Sequence, residues 1–316
     1  MHRYVKLRKN LLEVDELHMY DIYVPIVKDY EAKYTIEEAK ELVLRAVEPL
    51  GTNYVNLLQK AFAERWIDVV ENEGKRGGAY SSGVYGVHPF VLLNFNGTLD
   101  DVFTLAHEMG HAMHSYFSNE GQNFLDSRYK IFVAEVASTT NEVLLMEYML
   151  KNARDNKERT YLLNHYMDSF KGTVYRQTMF AEFEKTSNEM AESGEPLTHE
   201  NLTGLYLELN KKYYGEDMVS DELIGYEWMR IPHFYYNFYV YQYATGFSAA
   251  VAIAHRILKE GETAVNDYMK FLHSGCTDDP VSLLKIAGVD MASKEPINSA
   301  LKIFERVIVE MEGLIK

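Results

Sequence analysis

Along most of this chain apolar residues recur at three- and four-residue spacing, the period of one buried face of an α-helix, in long stretches separated by short polar breaks. The pattern predicts helices over about 36–48, 52–70, 98–117, 131–153, 158–192, 199–214, 233–259, 263–274, 280–287 and 295–314. Thr35-Ile36-Glu37-Glu38 opens the first of them with a capping threonine and a glutamate three residues on. Residues 1–35 carry no such period and read as irregular, with a tyrosine-rich piece from Tyr20 to Tyr23. The period changes after Gly74-Lys75-Arg76-Gly77-Gly78. Ala79–Gly86 and Phe90–Asn96 then read as two strands with Gly86, His88 and Pro89 at the turn. The expected fold is mostly α with a small β-sheet at about residues 79–96. No stretch rich in Pro, Gly or Ser divides it, so residues 1–316 read as a single domain.

Composition agrees with that picture and narrows it. Only 7 Pro and 19 Gly in 316 residues suit long helices rather than many turns. A 47% hydrophobic and 25% charged chain is neither disordered nor a coiled-coil rod. With 32 Lys+Arg against 47 Asp+Glu the net charge is −15, which argues against nucleic acid or an anionic membrane as the main partner. The single Cys276 excludes an intrachain disulfide and suits a reducing compartment. No apolar run approaches the roughly 18–20 residues of a membrane span. The basic start, Met1 to Lys9, leads into no signal-peptide pattern, so a cytoplasmic location is expected.

Chemistry enters at His107-Glu108-Met109-Gly110-His111. On a helix, residues four apart share a face, so His107 and His111 can aim imidazole nitrogens at one metal ion. Glu108 beside them is suited to take a proton from an attacking water and pass it to a leaving amine. A catalytic zinc ordinarily takes three protein ligands. Glu135, in the apolar stretch Phe132-Val133-Ala134-Glu135-Val136-Ala137-Ser138, is the candidate third, because a lone carboxylate there needs a partner. Glu142 falls on the same face two turns later and is placed either to orient a ligand histidine or to be a solvated surface charge. Glu120 is a rival ligand in a polar run that reads as a loop.

The segment 233–243 holds five Tyr, two Phe and one His in eleven residues. Read as a helix, it places His233, Tyr236, Val240 and Tyr243 on one face with Tyr239 at its edge. Such a stripe is commonly core packing with hydroxyls reaching partners. His114 extends the motif helix and reads as structural or as a support to the ligands. The strand Phe90–Phe95 is either a core strand or an edge for an extended peptide. His2, His18, His165, His199, His255 and His273 have no ligand spacing, and Arg176-Gln177 has no evident physical role.

Taken together, His107-Glu108-Met109-Gly110-His111-Ala112-Met113-His114 and the stretch from Phe132 to Ser138 resemble the thimet oligopeptidase and oligoendopeptidase F family of zinc metallopeptidases, and within it the bacterial oligoendopeptidase F branch. Gly77-Gly78-Ala79-Tyr80, Phe90–Phe95, His233–Gly246 and Ala287-Gly288-Val289-Asp290-Met291 extend the likeness along nearly the whole chain. The resemblance implies a zincin-type helical catalytic domain with the small sheet before the HExxH helix. It implies one Zn2+ per chain on His107, His111 and Glu135, with Glu142 behind them. It implies that His233, Tyr236 and Tyr243, with Tyr239 a further candidate, bind peptide and stabilise the oxyanion. It matches the catalytic C-terminal half of family members, whose helical N-terminal half closes over a channel. The expected function is a zinc-dependent metalloendopeptidase, a hydrolase of short oligopeptides. An exopeptidase releasing dipeptides and a peptide-holding module whose zinc only supports folding are the alternatives.

Overall fold

Thr35 closes the capping box its sequence suggests: its hydroxyl accepts from the Glu38 N–H at 3.2 Å and its own N–H donates to Glu38 Oε2 at 2.7 Å. The computed structural model describes residues 1–27, 30 and 32–315. In chain order the elements are α1 (His2–Leu12), β1 (Leu17–His18), α2 (Ile36–Ala46), α3 (Thr52–Ala63), β2 (Ile67–Asp68), β3 (Tyr80–Ser82), β4 (Phe90–Leu92), α4 (Leu99–Gly121), α5 (Ile131–Lys151), α6 (Asn156–Ser169), α7 (Arg176–Ser193), α8 (His199–Tyr214), β5 (Met218–Val219), α9 (Tyr241–Glu260), α10 (Glu262–Leu272), α11 (Pro280–Ile286) and α12 (Glu295–Leu314). A π-helical turn, Phe170–Tyr175, joins α6 to α7, and 3-10 turns occupy Met19–Tyr23, Glu48–Leu50, Glu222–Arg230 and Pro232–Tyr235. The fold is mostly α, as expected.

Four expectations are corrected. Residues 1–35 are not irregular throughout, because α1 fills the start; residues 28, 29 and 31 lie outside the described residues. Its buried face includes Arg8 beside Tyr4, Val5 and Leu7, and a buried arginine hides the apolar period. The Arg8 guanidinium donates to the backbone carbonyls of Asp21 and Val24, which makes its burial tolerable. Second, α3 stops at Ala63 rather than near 70, since Ile67 and Asp68 pair as a strand with Val91 and Leu92. Third, the two strands are shorter than their apolar runs. Fourth, the tyrosine-rich segment is not helical before Tyr241. Pro232 starts a 3-10 turn, Phe238 takes φ 58°, and its N–H donates to Glu184 Oε1 at 2.6 Å instead of to a helical carbonyl.

The chain forms two compact units, one of Met1–Tyr30, Asp155–Ala244 and Ile303–Lys316, the other of Glu31–Arg154 and Thr245–Lys302. In the first, Asp168 accepts from Tyr4 Oη at 2.8 Å and from Lys171 Nζ at 2.7 Å, tying α1 to the π turn. Arg176 pairs with Glu227 at 2.5 Å and lies 4.6 Å over the Phe180 ring, which gives the arginine a structural role.

The second unit is organised on α4 and α5. Three strands in the order β2-β4-β3 pack beside α4, with β2 parallel and β3 antiparallel to β4 and Ser81 opposite Val91. Thr98 caps α4: Asp101 Oδ2 accepts from the Thr98 N–H at 2.9 Å and from the Asn96 N–H at 3.1 Å. At Gly110 the two helices approach so closely that a Cβ would sit 2.6 Å from Ser138 Cα and 2.8 Å from the Ala137 carbonyl oxygen. Fully buried Asn141 bridges the pair, donating to the Ala106 carbonyl at 3.2 Å and accepting from Tyr54 Oη at 3.0 Å. His114 is buried, stacked on Tyr129 with ring centroids 3.7 Å apart, and its Nδ1 has no hydrogen-bond partner.

Two predictions follow from this packing. A helical Gly→Ala change ordinarily gains up to about 1 kcal/mol, the expected result at Gly204, where an added methyl meets nothing within 4 Å. At Gly110 the sign reverses, because rigid backbone must move: Gly110→Ala is expected to cost about 1–3 kcal/mol, read as a lower urea midpoint. Burial, with the His111 charge second, pushes His114 down to about 3. A depressed folded-state value means this stability is present above the unfolded value of about 6.5 and is lost as pH falls from there toward 3. His114→Phe is therefore expected to lose less stability than wild type between about pH 7.5 and pH 4.5, measured by urea unfolding at each pH.

Candidate metal centre

The helical spacing of the motif and the close crossing at Gly110 bring side chains of α4 and α5 to one point. His107 Nε2 and His111 Nε2 lie 3.1 Å apart. Glu135 Oε2 lies 3.3 Å from the first and 3.6 Å from the second. His107, His111 and Glu135 form the group of three that can hold a metal ion among the described residues. Tetrahedral ligands at about 2.0–2.1 Å from zinc sit about 3.3–3.4 Å from each other, so the observed separations fit such an ion. The rings stand nearly perpendicular, at 84°, as two imidazoles converging on one point do.

The surrounding hydrogen bonds set which atoms face inward. His107 Nδ1 donates to Glu142 Oε1 at 2.5 Å, which leaves Nε2 as the lone-pair donor. Ser138 Oγ donates to Glu135 Oε2 at 3.3 Å and to the Glu135 carbonyl at 3.0 Å. Gly246 of α9 backs Glu135, with room for little more than a methyl, at 3.6 Å from the Glu135 Cβ.

The titration behaviour follows from this arrangement. Burial works to lower His107, but the Glu142 and Glu135 carboxylates outweigh it and hold the ring well above its ordinary value. Burial and the charge at His107 lower His111 to about 4. Burial works to raise Glu135, yet the two histidines keep it below the usual carboxylate range. Glu108 is raised, chiefly by burial, and its Oε2 has no hydrogen-bond partner. Three carboxylates around two imidazoles, all on the inner sides of α4 and α5, make a field that favours a cation.

The sequence candidates distribute as follows. His107, Glu108, His111, Glu135 and Glu142 gather in the second unit. Glu120 is on a late turn of α4, mostly exposed, with His273 Nε2 at 3.5 Å, away from this group. His114 stacks beneath the helix and is not among the converging donors. His233, Tyr236, Tyr239 and Tyr243 cluster within the first unit through the bent segment rather than a helical face. Tyr243 Oη lies 3.4 Å from His233 Nε2, and His233 stacks on Tyr239 with centroids 5.6 Å apart. Tyr236 stands edge-on to His233 at 6.2 Å and is 63% exposed. Gly110, Asn141 and Ser138 were missing from the sequence reading. A glycine and two small polar residues in strongly apolar helices were the available signal, since such positions mark close approach or buried hydrogen bonds.

The chain is similar to several known proteins. It is 55% identical over 315 residues to Oligopeptidase PepF of Bacillus subtilis, covering 100% of this chain and 47% of that protein. It is 50% identical over 319 residues to the chromosomal Oligoendopeptidase F of Lactococcus lactis subsp. cremoris, covering 100% of this chain and 52% of the relative. The crystal structure of oligoendopeptidase-F from Enterococcus faecium superposes with a TM-score of 0.77 at 44% identity, over 99% of this chain and 49% of that one. The chain thus spans about half the length of the relatives it matches. The model of peptidase family M3 matches residues 1–303, in accord with the resemblance seen in the motifs, and the chain belongs to that family.

Proposed function

We propose that this chain carries the catalytic centre of a zinc-dependent endopeptidase that hydrolyses short oligopeptides. The observation that carries the reading is the convergence of His107 Nε2, His111 Nε2 and Glu135 Oε2, with the general acid–base candidate Glu108 next in sequence to the first of them. Zinc held there supplies Lewis acidity, polarising a peptide carbonyl and making water more acidic. Nitrogen and carboxylate donors also accept cobalt or manganese.

The residues of the chain divide the remaining work. Glu108 takes a proton from the attacking water and delivers it to the departing amine. Its burial raises its proton affinity toward the range in which one group can do both. Glu142 fixes the ring and tautomer of His107, and Ser138 does the same for the carboxylate of Glu135. His233, Tyr236 and Tyr243 are assigned to peptide binding and oxyanion stabilisation, on their donor chemistry and the resemblance of residues 233–246. Short peptides as substrates follow from the names of the relatives. A cytoplasmic location is favoured by the single cysteine; no described helix is long and apolar enough to cross a membrane.

Peptides blocked at both ends are expected to be cut internally, with cleavage lost to a chelator and restored by zinc, as read by mass spectrometry of the products; cuts confined to free-ended peptides would establish the exopeptidase instead. Glu108→Gln is expected to lower kcat roughly 10²–10⁴-fold while zinc content stays near one per chain. Turnover at the wild-type rate would remove Glu108 from the mechanism. Glu142→Ala is expected to weaken zinc binding about 10–100-fold in a competition with a chelating dye.

A further inference from the structure

Two buried polar atoms beside the motif have no hydrogen-bond partner: Glu108 Oε2 on α4 and Ser81 Oγ on β3. They belong to neighbouring surfaces. The strand β3 packs against α4, and just past its end a Cβ on Gly83 would lie 2.8 Å from Ser115 Cβ, so nothing bulky separates strand from helix. Ser81 is paired with Val91 of β4, which holds its backbone in place, and its side chain is less exposed than those of Tyr80 and Ser82 on either side. The backbone N–H of Ser81 also faces the Glu108 carboxylate, which places this residue against it. Leaving both atoms unsatisfied would cost about 1–3 kcal/mol each, and a site with polar partners on two sides is where an ordered water resides.

We propose that Ser81 is a positioning residue for Glu108, its hydroxyl holding Oε2 through one ordered water while its backbone faces the other side of the carboxylate. This rests on the assignment of Glu108 as the proton-transfer group. Glu108 sits on a helix and reaches the reacting atoms through three rotatable bonds, so fixing it from β3 removes orientations in which it cannot reach them. The hydroxyl serves the carboxylate rather than the substrate, so its loss is expected to appear in kcat and not in KM.

The test compares Ser81→Thr with Ser81→Val, both β-branched strand formers that differ only by a hydroxyl against a methyl. Ser81→Thr is expected to keep kcat within about threefold of wild type. Ser81→Val is expected to lose about tenfold or more, with KM and zinc content unchanged. Crystal structures of the wild-type, Thr and Val chains supply a readout independent of turnover. A water bridging Ser81 Oγ and Glu108 Oε2 is expected in the wild type and the Thr variant. In the Val variant that water is expected to be gone and the Glu108 side chain displaced or in two rotamers. Equal kcat for the Thr and Val variants, or an unchanged Glu108 in the Val structure, overturns the proposal. A wild-type chain that cuts no peptide but shows the bridging water would overturn the function assigned to Glu108 and leave its anchoring by Ser81 standing. If the Val variant fails to fold, Ser81→Ala replaces it in the same comparison.

Discussion

The contact between α4 and α5 at Gly110 is the constraint on which the metal centre depends. Two helices with ordinary side chains at the crossing stand about 8–10 Å apart. Here the absence of a Cβ lets Ser138 Cα and the Ala137 carbonyl occupy the space where one would be. That approach is what places Glu135 Oε2 within 3.6 Å of both imidazole nitrogens and Glu142 within hydrogen-bonding distance of His107. Asn141 adds direction to proximity. A buried amide that must satisfy both its donor and its acceptor accepts only one register between the helices. The packing and the chemistry are therefore one feature.

The electrostatics carry the same logic. Among the described residues the ion-pair partners of Glu135 and Glu142 are the rings of His107 and His111 rather than a lysine or arginine. The two histidines are driven apart by environment, His107 raised by two carboxylates and His111 lowered to about 4. The Glu142 carboxylate holds His107 at Nδ1, and its Nε2 is left facing Glu135 and His111.

The helical framework was legible because its apolar period is strong, and the donor set was legible because i, i+4 geometry on a helix is fixed. Glu135 and Glu142 were readable as a pair for the same reason, being seven residues apart on one helix. What escaped the sequence was decided by contacts distant along the chain. α1 was hidden by Arg8, whose burial depends on carbonyls of residues 21 and 24. The end of α3 was set by pairing with β4, and the helix expected from residue 233 was interrupted at Phe238, whose φ is 58° and whose N–H donates to Glu184. His233, Tyr239 and Tyr243 still meet, through a bend instead of a face.

The Thr98–Asp101 cap has a consequence for how such a chain can vary in length. The cap pins the first turn of α4 to the loop that leaves β4, so the angular position of His107 is counted from Thr98. One residue inserted in the intervening helix turns every later side chain by about 100° and carries the imidazole off the glutamates of α5. Only near-integral numbers of turns preserve the facing. Seven residues return within about 20° but advance the site about 10.5 Å along the axis, beyond Glu135 and Glu142, which are set by their own count. The segment from cap to motif is thus a ruler of one permitted length, and the loop before α4 is bound into the same cap.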